Sequence, residues 1–326
     1  RGRGASASVA IDPPRGYPPR RMGDAHPASA AARSELVLGV IGGSGLYEID
    51  GLTDIERVQL ETPFGSPSGA YTTGRLPREA GPLRCVFLPR HGAGHLLTPG
   101  EINYRANIHG LKQLGVTHLL SVGAVGSLAE EIAPGHMVLP DQFIDRTKHR
   151  QTSFFGGGCV AHVPFGEPTT PAFRSLLREA VSAQEGMADK VHDGGACIVM
   201  EGPAFSTRAE SEMYRSWGAK IIGMTALPEA KLAREAEMAY ALLALSTDYD
   251  CWHQSEEDVT VDAVMAVMRK NVDVARATIK TLASKLPQRC EDLPWPRSLE
   301  FAVVTAPEKI PAVTRERLDL IMGHYL

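Results

Sequence analysis

Short, largely apolar runs that alternate with helical patterns constrain this chain more than any other feature. Leu36-Val-Leu-Gly-Val-Ile41 is the first such run. Leu83 to Leu88, Val116 to Val122, Met137 to Leu139, Cys197 to Met200, Ile221 to Met224 and Ala241 to Ser246 follow. Helical periodicity lies between several of them, over Tyr104 to Leu114, Phe173 to Gln184, Arg208 to Ser216, Glu229 to Tyr240 and Val261 to Leu286. A continuous apolar strand is one buried on both faces, and strands that alternate with helices build layered sheets. The pattern predicts an α/β fold: a single domain over residues 35–287 with a central mixed, largely parallel sheet flanked by helices. Residues 1–34 carry six arginines, a proline-rich patch and many Ala and Ser, without apolar periodicity. They are expected to lie outside the fold as a disordered extension, with an organelle transit segment as the sharper alternative. Residues 288–326 read as a less regular C-terminal extension with one helix over Thr314 to His324.

Composition narrows the partners. With 43% apolar and 22% charged residues the chain has ordinary globular composition. A formal net charge of −4 gives no global field toward nucleic acid or an anionic membrane, so neither is an expected partner. No apolar run approaches the roughly 18 residues of a membrane helix. The five cysteines are scattered, with no C-x-x-C pair, so a disulfide framework or a zinc site is not expected and a reducing, cytoplasmic setting is.

Several strand ends carry polar or small residues of the kind that bind ligands in open α/β sheets. Gly42-Gly-Ser44-Gly45 follows the first run and reads as either a tight turn or an anion cradle with the Ser44 hydroxyl as a donor. It lacks the spacing of dinucleotide and P-loop sites. Arg90 and His91, in Pro89-Arg-His-Gly92, offer donors suited to phosphate oxygens, or form a surface pair. Ser121-Val-Gly123-Ala124-Val-Gly-Ser127 lets a backbone lie against a ligand, or serves packing alone. Phe205 reads as a stacking residue or a core one, and Ser206 or Thr207 as a helix cap. Met224-Thr225 places a hydroxyl at a strand end, and Glu229 fits the first turn of the next helix. Asp248 and Asp250 leave the last apolar run two residues apart, so in extended geometry they share a face. A carboxyl group beside apolar walls is raised in pKa and able to donate a proton, metal binding lacks a completing ligand cluster, and a solvated acidic turn is the bland alternative, which Tyr249 and Trp252 on either side disfavour.

Taken in order, these segments resemble one family. Ile41-Gly-Gly-Ser-Gly-Leu46, Thr62-Pro-Phe-Gly65, Pro89-Arg-His-Gly92, Asn103-Tyr-Arg-Ala-Asn-Ile108 and Asp141-Gln-Phe-Ile-Asp-Arg-Thr147 are similar to its motifs. So are Glu201-Gly-Pro203, Arg208-Ala-Glu210, Met224-Thr225 and Thr247-Asp-Tyr-Asp-Cys-Trp252. The chain resembles the trimeric purine nucleoside phosphorylases over residues 36–287, and among them the branch that acts on methylthioadenosine. The resemblance implies that Ser44, Arg90, His91, Thr225 and the backbone at Gly123 and Ala124 hold inorganic phosphate, a co-substrate. It implies that Phe205 and Met224 pack on base and ribose, and that Asp248 and Asp250 meet N7 and the 6-amino group. Val261 and Val264 would line a methylthio pocket, and His162 would reach in from an adjacent subunit of a homotrimer. No metal or organic cofactor is implied. Gly123 stands where many relatives carry a hydroxyl residue, Ser44 replaces a threonine, Ala204 an arginine and Gly223 an asparagine.

The implied reaction is phosphorolysis of a purine nucleoside, with Asp248 as general acid. Phosphorolysis of inosine-type or methylthioinosine substrates, a water-dependent nucleosidase and a non-catalytic nucleotide-binding domain are the alternatives. Two carboxylates favour a 6-amino over a 6-oxo purine.

Overall fold

The computed structural model describes residues 35–43, 46, 48–253 and 261–326, and of 261–266 the backbone alone. The sheet is built outward from β1 (Leu38–Gly42), which is buried along its whole length. β1 pairs in parallel with β4 (Leu83–Pro89) on one edge and β5 (His118–Ser127) on the other. Beyond β4 come β3 (Tyr71–Leu76) and β2 (Thr53–Val58), both antiparallel to their neighbours. The exposed Thr-Asp-Ile-Glu-Arg-Val of β2 has no apolar run to betray it, and its charges suit an edge strand.

On the other side of β1, β5 pairs antiparallel with β10 (Ala219–Gly223), which leads to β9 (Ala196–Met200) and β7 (Gln142–Arg146) in parallel. β11 (Ala239–Tyr249) runs parallel to β5 and carries β6 (Met137–Leu139) and β8 (Val191–Asp193) beyond it. The sheet is thus mixed, with parallel pairing through its centre.

Strand side chains alternate between two cores, as a period of two requires. Ile41, Val86, Leu88, Leu119, Tyr240, Leu242 and Ala244 face one, and Leu38, Val40, Cys85, Phe87, Leu120, Ala241 and Leu243 the other. The first core is closed by α1 (Tyr104–Gln113), α4 (Ala226–Glu235) and α6 (Ala312–Met322), through residues such as Ile108, Leu232 and Leu318. The second is closed by α2 (Pro171–Ser182) and α5 (Val261–Lys285), through Phe173, Leu177, Ile279 and Leu282. α6 shows that the C-terminal residues pack on the same core as α1. α3 (Arg208–Ser216) begins at Thr207, whose hydroxyl and the Glu210 carboxylate form a reciprocal capping box.

One expected helix ends well short of its predicted bounds. The helix expected over Glu229 to Tyr240 is α4, which starts earlier and ends at Glu235. Glu237 takes φ +53°, outside the helical region, and the apolar residues after it enter β11. The helix and the strand share an apolar boundary, so periodicity alone ran them together.

α4 also buries a carboxyl group away from the ligand face. Glu235 accepts hydrogen bonds from the Ser153 hydroxyl and the Phe154 amide, both at 2.7 Å. Burial pushes it up from 4.5 to about 7 in spite of those donors. A carboxyl raised on folding stabilises the fold fully below its unfolded value and loses that contribution as pH rises through the folded one. Wild-type unfolding free energy should therefore fall from about pH 4.5 to about pH 7, on the order of 3 kcal/mol at most, and Glu235→Gln should flatten the slope. Urea denaturation across that range is the measurement.

Candidate active site

The site lies where β5 changes partners. β11 occupies one edge of β5 from His118 to Ser127. On the other edge β1 ends with Ile41 opposite Ser121, and β10 takes over at Gly126. Between these two points no described strand pairs with this edge of β5, and Arg90 after β4, Thr225 after β10, and Asp248 and Asp250 at the end of β11 border it.

Arg90 follows β4, and its amide donates to Gly42 O at 2.8 Å, which ties the two strand ends together. Its side chain is only 2% exposed and turns under the gap. The guanidinium pairs through Nε with Glu229 Oε1 and donates through Nη2 to Glu229 Oε2 at 3.1 Å, Ser121 Oγ at 2.8 Å and Ile41 O at 3.2 Å. Nη1 donates to Val122 O at 3.0 Å. Burial works against this cation, but Glu229 more than offsets it and holds the guanidinium firmly charged. A Cβ built on Gly123 would sit 3.9 Å from both Arg90 Nη1 and Thr225 Oγ1, so these three positions converge. Thr225 heads α4 without using its hydroxyl as a cap, which leaves that group free to donate into the gap. Gly123 is half-buried and Ala124 exposed.

His91 sits beside this cradle. Its Nδ1 lies 2.8 Å from Leu97 O, a contact that places the proton on Nδ1, and its ring stacks on His95 at 4.2 Å. Burial pushes the imidazole down to about 4, the Leu97 contact opposes the shift, and Arg90 and His95 add to it. The ring is therefore neutral, with Nε2 as an acceptor. In that state Nε2 accepts a hydrogen bond and carries no proton to donate.

Asp248 and Asp250 stand farther along β5. The pairing passes from Ser246 opposite Val125 to Asp248 opposite Gly126, so Thr247 is an extra residue, a bulge. A Cβ on Gly126 would lie 3.3 Å from Asp248 Oδ1 and 3.5 Å from Asp250 Cβ, so both aspartates border the same small residue. Asp248 accepts from the Thr247 hydroxyl at 2.7 Å. Burial raises its pKa, the Thr247 bond opposes this, and the Asp250 charge adds to the rise. Asp250 is held by its amide on Ser127 O at 3.0 Å, and its Oδ2 is buried with no hydrogen-bond partner. Trp252 Nε1 donates to the same Ser127 O at 2.8 Å, with Arg215 3.5 Å over its ring. Gly123 and Gly126 are three residues apart, so the anion cradle and the acidic pair are about 10 Å apart along the strand.

The remaining expected residues surround this frame. Phe205 is 82% exposed in the loop after β9, which removes the core alternative for that side chain. Met224 follows β10 and packs its sulfur on Gly202, where any Cβ would be 2.6 Å away and φ is +67°. The Met224 carbonyl is occupied by Arg150 Nη1. His162 is exposed, and its amide bonds Ala302 O at 2.9 Å. Ser44 and the side chains of Val261 and Val264 lie outside the described residues. Among the described residues no three His, Cys, Asp or Glu side chains converge as a metal site requires.

Two residues at the site had no functional signal in the sequence. Arg150 is buried and binds the carbonyls of Met200, Glu201, Met224 and Leu227, joining the exits of β9 and β10 to α4. It lies in a polar stretch that reads as surface. Glu229 stands in the first turn of α4, as expected, but it is 0% exposed and paired with Arg90. Its one trace in the sequence is its place among Ala226, Leu227, Ala230 and Leu232, on the apolar side of the helix.

A mixed α/β sheet with an anion cradle and an acidic pair at adjoining strand ends is the frame of one class of enzymes. The chain belongs to the phosphorylase superfamily, whose family model matches residues 37–284. It is 55% identical over 293 residues to an S-methyl-5'-thioadenosine phosphorylase of Geobacter sulfurreducens, across 90% of this chain and 100% of that protein. Identity to the Synechocystis protein of the same name is 52% over 288 residues, 88% of this chain and 87% of the relative. Within the superfamily, then, its place is among the S-methyl-5'-thioadenosine phosphorylases. Solved structures agree. A methylthioadenosine phosphorylase from an antarctic soil metagenomic library superposes with a TM-score of 0.79 at 45% identity, over 88% of this chain and 99% of that one. The Schistosoma mansoni enzyme in complex with adenine gives 0.69 at 38% identity, over 76% and 91%.

Proposed function

We propose that the protein cleaves S-methyl-5'-thioadenosine with inorganic phosphate, giving adenine and 5-methylthioribose 1-phosphate. Its curated relatives carry that activity in their names. The observation that most favours a 6-amino purine is the buried, unpartnered Asp250 Oδ2, an acceptor that the amino group would satisfy beside the raised acid Asp248. A phosphate oxygen forms the bond to C1′ as the bond from C1′ to N9 breaks. The electron pair of the broken bond passes into the purine, and N7 takes a proton from Asp248. Phosphate sits between Arg90, Thr225, His91 and the backbone at Gly123 and Ala124, close to the positive charge that develops on the sugar. The roughly 10 Å between the two ends of the site leaves room for a ribose. The exposed Phe205 covers the nucleoside from the loop after β9.

The reading includes a homotrimer in which His162 of one subunit reaches the site of the next, since that histidine is exposed and is held among the described residues by its backbone amide. It includes a cytoplasmic setting, supported by Cys85, Cys159, Cys197 and Cys251 standing outside any disulfide. Among the described residues no helix is long and apolar enough to cross a membrane.

The test is base release from methylthioadenosine, methylthioinosine and inosine, each with and without phosphate. Phosphate-dependent release of adenine from the first supports the proposal. Release without phosphate, or a preference for either 6-oxo nucleoside, overturns it.

Gly123 offers a gain-of-function check. The open geometry at this position accepts a side chain in ordinary contact with Arg90 and Thr225. Gly123→Ser should add a hydroxyl donor to the anion and lower KM for phosphate about tenfold. KM for the nucleoside should not change, and initial rates at varied phosphate report both.

A further inference from the structure

Arg90 meets its neighbours with nearly all of its hydrogens. A guanidinium has five N–H groups. The Nε hydrogen goes to Glu229, the Nη2 pair is shared among Glu229, Ser121 and Ile41, and one Nη1 hydrogen goes to Val122. The hydrogen left over belongs to Nη1, the nitrogen that borders Gly123 and Thr225. The orientation comes mainly from one carboxylate. Glu229 accepts on both oxygens from Arg90, and its Oε2 also takes the Ser121 hydroxyl at 2.9 Å. Helix α4 thus reaches across to fix a side chain that β4 delivers.

We propose that Glu229 is a positioning residue for the anion site, holding the Arg90 fork so that a single Nη1 hydrogen faces the phosphate. The proposal rests on the phosphate reading of the cradle. Glu229 has two opposed effects on an incoming anion. Its charge opposes a phosphate dianion, while its geometry aligns the donor. Alignment prevails: the carboxylate lies behind the guanidinium, whereas the exposed hydrogen sits at the anion. A bidentate contact of this kind fixes direction in a way that a point charge does not.

Glu229→Gln separates the two effects. It keeps the shape but sets an amide N–H₂ against Arg90 Nη2, which breaks the fork. KM for phosphate at saturating nucleoside should rise about tenfold or more, with KM for the nucleoside within about twofold of wild type. Glu229→Asp should fall between the two. In an Arg90→Lys background Glu229→Gln should add little, because the fork it serves is gone. An unchanged or lower KM for phosphate in folded Glu229→Gln overturns the proposal, the lower value marking Glu229 as a charge balance alone. Should that variant not fold, Ser121→Ala carries the test with an expected rise of about threefold, and an unchanged value there is equally decisive. Failure of the underlying reading looks different: wild-type turnover would then not depend on phosphate at all.

Discussion

Asp248→Ala is expected to lower kcat by about 100-fold or more, the usual worth of a positioned general acid. The leaving purine must carry a pair of electrons away from C1′, and a proton at N7 is what stabilises it. Asp248 is suited to supply that proton because burial, and then the charge of Asp250, hold it above the ordinary carboxylate range, with the Thr247 hydroxyl as a partial counterweight. A raised acid loses its proton as pH increases. The alkaline side of the kcat profile should therefore fall with the ionisation of Asp248, and Asp248→Asn should remove that limb along with most of the rate. KM for phosphate should change little, since the acid and the anion cradle stand about 10 Å apart along β5. Single-turnover rates of adenine formation across pH measure the effect, and a near-normal rate in Asp248→Ala would exclude this residue as the acid.

The largest change in stability should come from Arg90→Met. Arg90 and Glu229 are 2% and 0% exposed. Removing the cation leaves a carboxylate with no counter-charge in the core, at a cost of about 3–5 kcal/mol. The loss should appear as a lower midpoint in urea denaturation, and phosphate should no longer shift that midpoint. The double variant Arg90→Met/Glu229→Leu is the informative control. Replacing a buried ion pair by apolar groups is often neutral or stabilising, so the double variant should recover much of the stability while activity stays lost. If it recovers activity too, Arg90 has no part in binding phosphate.

The sequence disclosed the central strands because they are buried on both faces and therefore continuous in apolar residues, as in β1 and β11. It did not disclose β2 and β7, whose polar residues read as loop, or the boundary between α4 and β11, where one apolar stretch serves two elements. The site divides in the same way. Arg90, Thr225, Asp248 and Asp250 stand out as candidates because each is a charged or hydroxyl side chain at the end of an apolar strand, where open α/β sheets place their ligands. Their supports are not. Glu229 and Arg150 act through partners far away in the chain, 139 residues in the case of Arg90 and Glu229, and no local pattern records a contact of that range. The bulge at Thr247 is equally silent, because an extra residue in a strand shows only against the strand beside it.

That extra residue decides which face of the sheet the Asp248 carboxylate shares. Without Thr247 as an insertion, Thr247 itself would lie opposite Gly126, and Asp248 would fall opposite Ser127 on the other face of the sheet. The bulge therefore acts as a phase shift: the same residues paired in regular register would turn that carboxylate to the opposite face, whereas deleting Thr247 alone should leave Asp248 opposite Gly126.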